Sequence, residues 1–116
     1  MPAVIALVRD LVFASHIRAA AAGVGVELSL ARSPAALEGL GTGLLLVDLG
    51  EAGFMEAAMA WRSATGGRVV GFVSHVDTQT IRAARSAGMD RVLARSRFVE
   101  VLPDLVARAA AGADLR

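Results

Sequence analysis

Asp48 is the residue of this chain whose setting points most directly to chemistry. It is the single carboxylate in GLLLVDLG (43–50), flanked by Leu44–Val47 and Leu49 and bounded by glycines. A continuous apolar run between turn-formers reads as a strand buried on both faces of a parallel sheet. Reactive groups in open α/β sheets gather just past the carboxyl ends of the strands, where strand order reverses. Asp48 stands at that end, so its place favours a site residue over a mere cap for the following loop. Other candidate chemistries are weaker. His16 and His75, with no cysteine anywhere, make a poor metal set. Ser15-His16 and Ser74-His75 are neighbours in sequence, whereas a nucleophile–base pair needs spatial geometry, so no hydrolase is implied. The Gly23/Gly25 and Gly39/Gly41/Gly43 clusters lack fingerprint spacing and precede strands, and without lysine there is no Walker-type loop.

The elements that position Asp48 follow from the alternation of apolar runs with helical segments. The strand candidates are Val4–Val8, Val26–Leu30, Gly43–Gly50, Arg68–Val73 and Arg91–Ala94. Between them lie Val12–Ala22 closing at Gly23, a short helix at Ala35–Glu38 introduced by Ser33-Pro34, Phe54–Ser63, and a helix capped by Asp77 running through Ala87. A last helix spans Arg97–Ala111, with a kink or break expected at Pro103, and leaves Gly112–Arg116 as a tail. Trp61 reads as core, and Glu51 as a solvated loop charge. Strict alternation with short connections predicts an α/β fold: a doubly wound, five-stranded parallel sheet, (βα)5, in the flavodoxin-like order 2-1-3-4-5.

Length and composition set the outer bounds. The 116 residues suit one domain spanning 1–116, large enough to bury roughly two-thirds of its unfolded surface. The absence of cysteine excludes disulfides and zinc–thiolate clusters. No apolar run approaches the ~18 residues of a membrane helix, and residues 1–8 lack the features of a signal peptide. A net charge of +1 provides no global attraction to nucleic acid or membrane. A cytoplasmic protein is expected.

The segments VRD (8–10), LLLVDLG (44–50), GFVSH (71–75) and GMDRVLARSRF (88–98), in that order at the strand ends, resemble the receiver domain of bacterial two-component response regulators. The resemblance covers essentially the whole chain. It implies that Asp48 matches the aspartate that takes a phosphoryl group from a histidine kinase, and that Asp10 is the second member of the acid pair that binds Mg²⁺ with it. It further implies that Ser74 matches the switch hydroxyl and that Arg95 occupies the position of the family's lysine. The pattern is broken elsewhere: Arg9 replaces the first acid, Ser96 a proline, Val92 a switch aromatic, and His75 is bulkier than the usual small residue.

Arg9 is the most consequential departure. A cation beside Asp48 would compete with the metal, since opposite charges ~4 Å apart attract by about 4 kcal/mol at an effective dielectric of 20, before desolvation. Arg95 has a planar fork suited to a static bidentate pair with Asp48. Asp10 and Asp48 would then form an acidic pocket neutralised by Arg9 and Arg95, with no metal or other cofactor. The expectation is a pseudo-receiver: a stand-alone signalling and interaction module without an output domain, not an enzyme, working through protein contacts. Arg82, Arg85, Arg91 and Arg97 would lie on the face receivers use for partners, with a protein or a second copy of the chain as occupant. The alternatives are a phosphoacceptor that uses Mg²⁺ at Asp48, and a flavodoxin-like small-ligand-binding protein.

Overall fold

The structure, a computed structural model, describes residues 3–111; the tail at 112–116 lies outside them. Five parallel strands form one sheet: β1 (Ala3–Leu7), β2 (Leu28–Ala31), β3 (Gly43–Asp48), β4 (Arg68–Val73) and β5 (Arg91–Ala94). Their order is β2-β1-β3-β4-β5, the doubly wound arrangement expected from the alternation of elements. The register places Ala6 beside Leu46 and Leu46 beside Val70, so β1, β3 and β4 form the buried centre. Among the described residues four helices flank the sheet: α1 (Leu11–Gly23), α2 (Phe54–Thr65) and α3 (Thr78–Ser86) in crossovers, and α4 (Arg95–Ala110) after the last strand.

Side chains on a strand alternate between faces, and the core divides accordingly. Val4, Ala6, Leu44, Leu46, Val70 and Phe72 pack beneath α1 and α4, with Ile17, Phe98, Leu102 and Leu105. Ile5, Leu7, Leu45, Val47, Val69 and Val73 face α2 and α3, with Phe54, Ala58, Trp61 and Ala84. The same period places Asp48, two residues after Leu46, on the α1/α4 side.

Besides shifts of one or two residues at the ends of other elements, such as β3 ending at Asp48, three differences bear on the fold. The second crossover holds only a single 3-10 turn, Pro34–Leu37, in place of a fifth helix. Ser33 Oγ accepts from Ala36 N–H at 3.4 Å and starts the turn. The left-handed backbone at Gly39 (φ 77°) and Gly41 (φ 88°) then leads directly into β3. The last helix begins two residues early, at Arg95, and continues through Pro103 without interruption. Pro103 lies on the exposed side, where the carbonyl deprived of its helical donor can face water. β2 starts at Leu28 instead of Val26.

The amino end of the sheet is joined by Asp90, whose side chain is only 2% exposed. It accepts from Arg62 Nε (3.0 Å) and Nη2 (3.1 Å), Arg68 Nη1 (3.4 Å) and Val69 N–H (2.8 Å). One carboxylate thus ties α2, β4 and the turn before β5 together.

Trp61 closes the α2 face, and its Nε1 donates to Gly41 O at 3.1 Å. The ring lies against Gly67, where a Cβ would sit 2.2 Å from Trp61 Cη2 and 2.9 Å from Gly43 O. Gly67→Ala is therefore expected to destabilise the fold by about 1–3 kcal/mol, the range for overpacking a close-packed site. Urea titration measures this; an unchanged midpoint would mean that the indole moves aside freely.

Candidate functional site

At the carboxyl end of β3, Asp48 is buried, with 3% exposure. Its Oδ1 accepts from Gly50 N–H at 2.9 Å, closing the turn that leaves the strand. Arg95 reaches it from the first residue of α4, and its Nη2 donates to Oδ2 at 3.1 Å and Oδ1 at 3.3 Å. Gly50 leaves room for the pair, since a Cβ there would lie 3.2 Å from Asp48 Oδ1 and 3.8 Å from Arg95 Nη2. The first turn of α4 contains no acidic residue. A guanidinium at the positive end of the helix dipole is disfavoured, so Asp48 supplies the compensating charge.

The contact differs from a parallel two-nitrogen fork, because one nitrogen bridges both oxygens. Arg95 Nε is turned inward and is buried without a hydrogen-bond partner. The guanidinium carbon lies 5.3 Å from the centroid of the Phe13 ring. Phe13 stacks on Phe72 at 4.7 Å and 10°, and Phe72 stacks on Phe98 at 4.3 Å. These phenylalanines come from α1, β4 and α4, and the sequence reading assigned them no role. No local spacing signals this cluster, because its members come from elements distant in sequence.

Arg9 requires a correction. It is exposed, and its Nη1 lies 3.7 Å from Glu51 Oε1 instead of against Asp48. Glu51 is accordingly an ion-pair partner more than a free loop charge. The cause is local. Asp10 turns back to cap α1, its Oδ1 accepting from Val12 N–H at 2.8 Å and Phe13 N–H at 3.2 Å. Arg9 is thereby left on the outer edge, where its carbonyl accepts from Arg32 Nη2 at 3.3 Å. Asp10 is itself exposed, so the two aspartates do not make a shared buried pocket.

Ser74 and His75 lie exposed in the loop after β4, and among the described residues no hydrogen bond joins Ser74 to Asp48 or Arg95. Val92 packs half-buried against the α2/α3 core. Arg82 and Arg85 are exposed on α3, Arg91 is half-buried at the start of β5, and Arg97 pairs with Glu100 at 2.9 Å. No helix among the described residues is long and apolar enough to cross a membrane.

Neither protein-family models nor curated proteins match the chain. Solved structures do. A response regulator from Thermotoga maritima superposes with TM-score 0.78 at 16% identity, covering 96% of this chain and 98% of that one. A two-component response regulator from Clostridium difficile gives 0.79 at 15% identity, covering 96% and 97%. A receiver domain protein from Methanospirillum hungatei JF-1 gives 0.74 at 12% identity, covering 97% and 98%. Across almost its whole length, this chain has the fold of response-regulator receiver domains.

Proposed function

We propose that the chain is a receiver-fold signalling module in which Asp48 is silenced by Arg95, so that it acts through protein contacts and not through phosphorylation. The supporting observation is the 3.1 Å ion pair at the carboxyl end of β3. A phosphoryl acceptor needs a free carboxylate oxygen, and both oxygens of Asp48 accept from the same guanidinium nitrogen.

The donor set does not fit Mg²⁺, which calls for near-octahedral oxygen ligation. Asp48 Oδ1 also accepts a backbone N–H, and Asp10 Oδ1 accepts two. Position 9 carries a guanidinium where the resemblance calls for an acid. Among the described residues no three acids or histidines converge on one point. The output is a protein–protein interaction in the cytoplasm, with a second copy of the chain or another protein meeting the face that carries Arg82, Arg85, Arg91 and Arg97. Arginine favours such a role through its bidentate reach.

A second reading is a working phosphoacceptor. It draws on the strand-end location of Asp48 and on a cation, Arg95, already within reach of any anion held there. Incubating the full chain with Mg²⁺ and either acetyl phosphate or beryllofluoride separates the two. Unchanged intact mass and unchanged amide resonances around Asp48 are expected. A stable adduct on Asp48 would establish the second reading.

A further inference from the structure

We propose that Phe13 is a positioning residue whose ring face seats the Arg95 guanidinium and so holds it on Asp48. This rests on the reading that the Asp48–Arg95 pair silences the site. Hydrogen bonds alone do not define the pose. One nitrogen, Nη2, makes both contacts with the carboxylate, which leaves the guanidinium plane free to pivot about it. The side chain is 43% exposed, so water competes for its remaining donors. Yet Nε faces inward, buried and without a partner, an orientation that hydrogen bonding by itself disfavours.

The ring supplies the missing constraint. An aromatic face carries the negative part of the quadrupole and attracts a guanidinium lying over it within about 6 Å; Arg95 Cζ is 5.3 Å from the Phe13 centroid. The ring is itself held by Phe72, nearly parallel at 10° with centroids 4.7 Å apart, and by Phe98 at 6.0 Å. Its backbone is held by Asp10, which accepts the Phe13 N–H at 3.2 Å. Asp10 thus acts on the site through the capping of α1, at one remove from Asp48. Packing of α1 against the sheet and the ion pair at the end of β3 become one coupled arrangement.

The test uses the full chain with labelled arginine side chains, comparing wild type, Phe13→Leu and Phe13→Trp by NMR. Leu keeps apolar bulk without a ring, and Trp restores the ring. The Arg95 Nε proton is expected to exchange about fivefold faster in Phe13→Leu and to return near the wild-type rate in Phe13→Trp, consistent with a cation–π contact. In the wild type alone, Arg95 guanidinium protons should resonate upfield of those of the other arginines through the ring current. That measurement keeps the proposal falsifiable if the Leu variant does not fold. Exchange that is insensitive to Leu, or no ring-current shift in the wild type, would overturn the seat while leaving the silenced site standing. An adduct on wild-type Asp48, with these NMR results as expected, would instead overturn the silencing and leave the seat.

Discussion

Asp90→Ala is expected to destabilise the protein by about 3 kcal/mol, near the lower end of the range for breaking a buried pair. The substitution removes the acceptor of Val69 N–H and of two guanidiniums together. The Val69 donor alone loses about 1–3 kcal/mol if left unpaired in the interior. Arg62 and Arg68 are about a third exposed, so water recovers part of the loss on their side. A fall in urea midpoint measures the total; a change within experimental error would show that Asp90 is replaceable by solvent. The pH dependence has a defined sign. Burial pushes the Asp90 carboxyl upward, but the hydrogen bonds from Arg62 and Val69 and the charges of Arg62 and Arg68 outweigh it, leaving it below the usual aspartate range. A depressed folded value contributes stability that is full above the unfolded pKa of about 3.9 and lost as pH falls through the folded value. Asp77 is shifted in the same direction by its bonds from Thr80. Below about pH 4, therefore, wild-type stability should fall more steeply than that of Asp90→Asn.

Arg95→Ala is expected to raise Mg²⁺ affinity at the carboxyl end of β3 by about tenfold or more. Opposite charges ~3–4 Å apart attract by roughly 4–6 kcal/mol at an effective dielectric of 20, and partial exposure of Arg95 leaves a smaller net competition. A net of about 1.4 kcal/mol already corresponds to tenfold. Arg9→Asp by itself should change less, because Arg9 is paired with Glu51 and not with Asp48. Arg9→Asp combined with Arg95→Lys adds the missing acid and a more compact cation, and should exceed either single change. Magnesium titration followed by amide resonances near Asp48 checks the order. Equal affinity in wild type and Arg95→Ala would show that the guanidinium is not what keeps the ion away. Arg95→Ala also leaves Asp48 buried with the Gly50 N–H as its remaining hydrogen-bond donor among the described residues, so some stability should be lost at neutral pH in the same variant.

Much of the scaffold was legible from local pattern. The runs Val4–Val8, Leu44–Val47 and Val69–Val73 are apolar enough to belong at the centre of a parallel sheet, and the order of elements permits few topologies. Asp48 at the end of the middle run was equally readable, because strand ends are defined by the chain itself. Asp77 and Ser33 announced their turns for the same reason: caps act on residues two or three positions away. The second crossover misled, since Ser33-Pro34 looks the same whether one turn or several follow.

What local pattern could not decide was which distant groups would meet. Arg9 and Arg95 carry the same charge and both lie near strand ends, yet only Arg95, placed at the head of α4 by β5, reaches Asp48. The Phe13–Phe72–Phe98 cluster and the donors to Asp90 join segments tens of residues apart. Periodicity assigns a residue to a face, but the partner across that face depends on how the crossovers pack. The sequence alone therefore determined the sheet, its order and the acid at its centre. The tertiary structure decided which guanidinium neutralises that acid, because such contacts depend on ångström-scale placement of helices that no short-range pattern encodes.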